Sequence, residues 1–322
     1  MRHEILPLDP ATYRPHQVHG ELRVFQETNC AADLWIEALH ALGFDPMAAM
    51  GFTLSCDFDG DQWRMFKFAA EDLRVLFGVE FDELNVWRAL SDHVVEELSL
   101  RRMLTIDVDA WYLPDTAGLT YHCAHQKTTI MAQMIDLEDR QLGYFHNTSY
   151  HEVGGDDFDA LLGLGASDPA VLPPYVESVR LDGVRDPADV RFEAALELAR
   201  GHLARRPATN PLPRMHKRLE EDMAWLRTED LEVFHRYAFG TLRQCGANAE
   251  LAADFVEWLG RHDGVVPAAA GHFRSLAEGM KSLEFLVARA TRGRSVDLAG
   301  PFGALADSWE WAMADLTGRY GP

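Results

Sequence analysis

Positive charge, cysteine and long apolar runs are the three things this chain has little of. Lysine and arginine number 30 against 51 aspartates and glutamates, a net charge of −21. Such a field repels nucleic acid and anionic lipid unless a basic patch is set apart. The densest basic stretches, RGHLARRPATNPLPRMHKR (200–218) and ARATRGRS (288–295), read first as solvated helix ends. A docking patch for an acidic partner is the alternative. The four cysteines, Cys30, Cys56, Cys123 and Cys245, are few and irregularly spaced, so with no export signal a disulfide framework is not expected. No apolar run reaches the roughly 18–20 residues of a membrane span. The N-terminal MRHEILPLDPATYRPHQ also lacks the apolar stretch of a signal peptide. These absences predict a soluble, cytoplasmic protein of a reducing compartment. No period of 20–50 residues repeats, so a solenoid is not expected.

What is present is enough apolar material for a real core: 47% of 322 residues are hydrophobic and 10% aromatic. The first half mixes short β-like runs with helices. GELRVF (20–25) alternates as a strand does. Leu34, Trp35, Ala38, Leu39 and Leu42 then form one helical apolar face that Gly43 ends. GFTLSCDF and QWRMFKF, joined by Asp59-Gly60-Asp61, read as a hairpin. A helix over 87–101 leads into RMLTIDVDAWYLP, a buried strand, and HQKTTIMAQMIDLEDRQLGYFHN reads as strand, turn, strand. From about Asp186 the chain is rich in Ala, Leu, Glu and Arg with helical periodicity. Helices are expected over 187–205, 212–226, 228–245, 247–262, 267–291 and 301–318, the first entered through the DPAD of 186–189. Prolines cluster in 166–189, where a boundary is expected. The fold class is therefore α+β: an N-terminal domain with an antiparallel sheet over 1–180 and an α-helical C-terminal bundle over 181–322.

Cys30 raises the chemical question, because it stands ahead of the apolar stripe rather than inside it. Asn29 is a favoured N-cap residue, which places Cys30 at the first helical position. Backbone N–H groups and the helix dipole there favour a thiolate and can hold a developing oxyanion. A cysteine nucleophile needs a base and a residue that orients it. His125 opens the strand KTTIMAQMI and Asn147 closes the return strand QLGYFHN, and a hairpin would set the two side by side. Gln26, four residues before Cys30, offers a side-chain amide to the oxyanion. His122 competes with His125 as base, and His146 or Asp136 with Asn147 as orienter.

This order of elements resembles the papain-like cysteine fold, and more closely its branch containing bacteriocin-processing transporter peptidases and the butirosin-biosynthesis acyltransferase. The runs ETNCAADLWIEALHALG, FDGDQWRMFKF, LNVWRAL, YLPDTAG and HQKTTIMAQMIDLEDRQLGYFHN also resemble a bacterial family. That family is associated with gene neighbourhoods of carrier proteins and of amino-acid-activating enzymes related to tRNA synthetases. The resemblance implies Cys30 as nucleophile, His125 as base and Asn147 as orienter. Gln26 lies nearer the cysteine than the usual oxyanion glutamine.

Rival readings of the same residues are weaker. The Cys and His of YHCAHQ and HNTSYH lack a paired C-x-x-C or an HExxH helix, against a zinc site. DFDGDQ (57–62) has glycine at the fourth loop position and Phe68 at the twelfth, against a calcium loop. GLGAS (163–167) is too short for a phosphate loop. Trp63, Trp87, Trp111 and Tyr112 read as core before pocket. Lys281 and Arg289 read as solvated positions before a phosphate contact.

The expected function is a cysteine-dependent acyl- or aminoacyltransferase. Its donor is an acyl or aminoacyl carrier protein charged on phosphopantetheine, and its acceptor a small-molecule amine. No cofactor of its own is implied. Aminoacyl-tRNA is an alternative donor that the acidic charge disfavours. A cysteine peptidase or amidase, and an inactive carrier-binding scaffold, are the alternative functions. Neither the acyl group nor the oligomeric state is legible.

Overall fold

The structure, a computed structural model, describes residues 1–165 and 172–321. Residues 166–171, which include part of GLGAS and the start of the proline-rich segment, lie outside the described residues. The chain groups into two compact units. One comprises Met1–Gly20, Asn29–Pro46 and Leu73–Asp189; the other comprises Glu21–Thr28, Met47–Asp72 and Val190–Pro322. The last change between units falls between Asp189 and Val190, and the early segments Glu21–Thr28 and Met47–Asp72 group with the helices.

The first unit is built on an antiparallel sheet. Its strands are β1 (Arg2–Glu4), β2 (Glu80–Glu83), β3 (Arg102–Asp109), β4 (Lys127–Asp136), β5 (Gln141–His146), β6 (Ser149–Gly154) and β7 (Val176–Arg180). Their spatial order is β2-β7-β3-β4-β5-β6, with β1 pairing the far end of β4. Directly paired residues share a face. Asp109 pairs with Lys127, Asp107 with Thr129, Thr105 with Met131, Met131 with Phe145 and Phe145 with Tyr150. All of these therefore point the same way.

Helix α1 (Cys30–Ala41) covers that face. Tyr13 identifies it: its ring packs on Phe145 and Tyr150, and its hydroxyl donates to the Glu37 carboxylate at 2.6 Å. The opposite face carries Ser178, Tyr144 and His146. It meets Glu97 of α3 (Leu90–Ser99) and Asp115. Helix α4 (Gly155–Leu161) packs beside β6. The unit is thus three-layered.

A bulge in β4 between Ala132 and Met134 lets Gln133 take a hydrogen bond from the Leu6 amide and donate to the Tyr150 hydroxyl. Gly143 makes room for that hydroxyl, since a Cβ there would lie 2.0 Å from it.

The second unit holds α5 (Phe192–Ala204), α6 (Pro211–Leu226), α7 (Leu231–Ala238), α8 (Gln244–Asp263), α9 (Ala269–Thr291) and α10 (Ala299–Tyr320). Phe255, Trp258, Met280, Leu283, Phe302 and Leu316 are buried in its core. Asn210 caps α6 with Pro211 at its first position, and Asp230 caps α7. Helix α2 (Ala70–Phe77) spans residues of both units.

Several elements differ from the sequence reading. GELRVF is not a strand: the amides of Val24 and Phe25 donate to the buried carboxylate of Glu250 at 3.0 and 2.8 Å instead of to a neighbouring strand. The 51–68 hairpin keeps only its turn. Phe58 and Trp63 form an isolated bridge, and residues 46–55 coil as 3-10 helix. The DPAD segment forms a turn around Asp186, and α5 begins at Phe192.

The helices expected at 228–245 and 247–262 are one run, joined by a π-helical segment, Phe239–Arg243. Gly246, between the two expected helices, lies within α8, where the Phe25 ring packs against it. A Cβ at Gly246 would come within 2.5 Å of that ring.

Candidate active site

Cys30 is the first residue of α1, as the sequence implies. Asn29 is its N-cap, extended at φ −154° and ψ 155°, and its side-chain oxygen accepts from the Ala32 amide at 3.0 Å. Such a cap is worth about 1 kcal/mol and sharpens the end of the helix. The thiol is half-buried. The other cysteines differ: Cys56 and Cys245 are buried and Cys123 is exposed. Burial pushes the Cys56 thiol up to about 12 and raises that of Cys245 well above its ordinary value.

His125 lies in the connection that leads into β4. Its Nδ1 is 2.5 Å from Oδ2 of Asp109, the last residue of β3. Its ring stacks on Trp111, with centroids 4.4 Å apart and planes 11° from parallel. With Nδ1–H donating to the carboxylate, Nε2 is the unprotonated nitrogen of the neutral ring. The other carboxylate oxygen accepts from the amides of Trp111 and Gln126 at 3.0 and 3.2 Å. Partial burial opposes the Asp109 charge, but the hydrogen bonds from His125, Trp111 and Gln126 outweigh it and hold the carboxyl below its usual range. Asp109 is the orienting group that sequence reasoning missed. Its signal was the aspartate ending a strand beside the histidine's own strand.

Asn147 does not orient this histidine. It is the first residue of the two-residue turn between β5 and β6, with φ +46°. Asparagine tolerates that left-handed conformation, which accounts for its place there. The last β4–β5 pairs are Ala132–Tyr144 and Met131–Phe145. Continuing them puts Thr129 opposite Asn147. The expected side-by-side placement fails because β4 starts well before the end of β5 has been reached. Gln26 is exposed and belongs to the 21–28 segment of the second unit.

The competing candidates are each engaged elsewhere. His122 Nε2 is 2.8 Å from Asp157 Oδ1, with its backbone at φ +52°. His146 is buried between Asp115 at 2.6 Å and the Thr128 hydroxyl at 2.8 Å. Asp136 accepts turn amides from Glu138 and Asp139 and pairs with the N-terminus. Among the described residues, no group of three or more His, Cys, Asp or Glu is placed to hold a metal ion.

Trp63 is core, Trp87 is 71% exposed, and Trp111 is the stacking partner of His125. Lys281 pairs with Glu284 at 3.4 Å and lies over the Phe25 ring. No helix among the described residues is long and apolar enough to cross a membrane.

Chemically, the Asp109–His125 pair can accept a proton at Nε2 and stabilise the resulting imidazolium. The thiol of Cys30 stands at the start of α1, which packs on β4, β5 and β6 of the same unit. Among the described residues, no hydrogen bond joins that thiol to His125.

Comparison with known proteins adds one relationship. No curated protein matches the chain. The DUF1839 N-terminal domain matches residues 14–181, and the DUF1839 C-terminal domain matches residues 188–317. The change from sheet to helices falls between the two matches. With nearly its whole length accounted for by these two domains in order, the chain belongs to the DUF1839 family.

Proposed function

We propose that this chain is a papain-like, cysteine-dependent transferase. It moves an acyl or aminoacyl group from a carrier-protein thioester to an amine. The observation that carries the reading is the Asp109–His125 hydrogen bond, in the same unit whose helix α1 begins at Cys30. Nε2 of His125 takes the Cys30 proton, and the sulfur attacks the carbonyl carbon of the donor thioester. The amides of Cys30 and Ala31, which have no intrahelical acceptor, stabilise the oxyanion. The carbonyl bond to the phosphopantetheine sulfur breaks, and that sulfur leaves as a thiol with the proton from His125.

An amine then attacks the Cys30 thioester. The new C–N bond forms, the C–S bond breaks, and the amine's proton returns through His125 to Cys30. Exchange of a thioester for an amide is downhill, so no ATP enters. The reading requires Nε2 to reach Sγ once the donor is loaded, as catalytic hydrogen bonds often tighten on binding. Mass spectrometry of the chain incubated with loaded carrier tests it: wild type gains the acyl mass, and Cys30→Ala does not.

A second reading is a carrier-binding scaffold without chemistry. It is favoured by the 68% exposure of the His125 side chain and by its lack of a bond to Cys30. Carrier binding that is unchanged in Cys30→Ala, with no acyl adduct in either chain, selects it.

A further inference from the structure

The helical unit contains a cleft that the transfer chemistry does not use. Its volume is about 490 Å³. Ligand pockets commonly span about 300–1,000 Å³. Helices α6 and α7 form its walls, with the π-helical segment and the 57–63 turn closing one end. Four residues, 227–230, join the two helices. Arg218, Asp222 and Trp225 come from α6, Val233, Arg236 and Tyr237 from α7, Gly240 and Thr241 from the π-helical segment, and Asp61 and Gln62 from the 57–63 turn.

This end is built rather than incidental. The Gly240 carbonyl accepts from the Trp63 amide at 2.9 Å, which ties the wide helical turn to the 57–63 segment. Arg214 bonds Asp57 and the Phe58 carbonyl, both at 2.5 Å. Arg218 bonds Asp222 at 2.8 Å and approaches Asp61 at 3.3 Å. Burial, and then the Asp222 carboxylate, raise the pKa of the Tyr237 hydroxyl.

Three features of the lining remain available to a ligand. The Asp61 carboxylate is 76% exposed and lies 3.3 Å from the Arg218 guanidinium that Asp222 also holds. The Arg236 guanidinium is 71% exposed, with Glu232 no nearer than 3.7 Å. The half-exposed Trp225 indole with Val233 forms an apolar wall. π-helical turns recur at functional sites, where they reshape a helix for a ligand.

We propose that this cleft binds a small zwitterion with an apolar group, an α-amino acid in chemical class. Its ammonium meets Asp61, its carboxylate meets Arg236, and its side chain lies on Trp225 and Val233. The inference does not rest on Cys30 chemistry and is read by binding alone.

Calorimetric titration of the full chain with L-phenylalanine, phenethylamine and 3-phenylpropionate tests it. Phenylalanine binds saturably, and each analogue, lacking one charged group, binds about tenfold or more weakly. Arg236→Gln weakens phenylalanine by a similar factor but leaves phenethylamine unchanged. Asp61→Asn does the converse, sparing 3-phenylpropionate. Both positions are solvent-facing, and an unchanged melting temperature verifies folding. Absence of saturable binding by all three compounds overturns the proposal, as does equal phenylalanine affinity in wild type, Arg236→Gln and Trp225→Ala.

Discussion

Asp109 Oδ2 and His125 Nδ1 lie 2.5 Å apart, at the end of β3 and just ahead of β4. That contact fixes the imidazole tautomer and leaves Nε2 as the basic nitrogen. Asp109→Asn presents the ring with an amide and is expected to lower the rate of Cys30 acylation by about 10²- to 10⁴-fold while the fold is retained. Rapid-quench measurement of the acyl adduct reads the loss. Undiminished acylation in Asp109→Asn removes this residue from the chemistry.

The turn role of Asn147 is separable from the proposed chemistry. At φ +46°, an alanine pays for a Cβ in left-handed backbone whereas glycine does not. Asn147→Ala is expected to lose about 1 kcal/mol of stability, and Asn147→Gly much less. Both are expected to acylate at the wild-type rate. A large kinetic loss in Asn147→Gly at full stability would return this residue to the candidate site.

Beneath α1, His19 lies fully buried between Asp33 at 3.3 Å and Glu37 at 2.5 Å. Burial alone would lower its pKa, but the hydrogen bonds to Asp33 and Glu37 prevail and push it up to about 9. A folded value above the unfolded 6.5 means that the stabilisation is complete below pH 6.5. It is lost as pH rises toward 9. Denaturant unfolding across this window is expected to show a decline on the order of 3 kcal/mol. His16, lowered to about 4 by burial and then by His40, acts in the opposite window and is lost below pH 6.5. Stability that stays flat from pH 6.5 to 9 contradicts a charged His19 in the core.

Thiol labelling separates the four cysteines. Iodoacetamide at neutral pH is expected to modify Cys30 and the exposed Cys123, and to spare Cys56 and Cys245 in the native chain. Peptide mapping after partial labelling reads the order. Modification of Cys245 ahead of Cys30 would show that the helical core is not packed as described.

Gly246→Ala places a methyl against the Phe25 ring and is expected to cost about 1–3 kcal/mol. Phe25→Ala in the same chain relieves the clash, so the two changes are non-additive. Simple additivity by thermal unfolding would separate the two positions.

The parts of this fold that sequence revealed are those governed by local chemistry. Asn29 before an apolar helical stripe gave the start of α1, and the charged DLEDRQ gave the β4–β5 turn. Partners brought together by register were less accessible. Hairpin ends look adjacent on paper, but β4 overhangs β5, so His125 meets a residue of β3 on the other side. Long-range caps also misled: GELRVF alternates like a strand, yet a carboxylate some 225 residues away takes its amides. Gly246 looks like punctuation, whereas it serves close packing. The strand at Ser149–Gly154 is hard to see in the sequence because Asn147, the residue that turns the chain into it, also suits a chemical role.

Intact-mass measurement with an aminoacyl-loaded carrier protein bears most directly on the transfer chemistry. The account predicts an aminoacyl adduct on Cys30 in wild type, discharged by added amine. It also predicts no adduct in Cys30→Ala and a strongly slowed one in His125→Ala. An adduct that forms equally in Cys30→Ala, or none in wild type under conditions where the carrier binds, would contradict it.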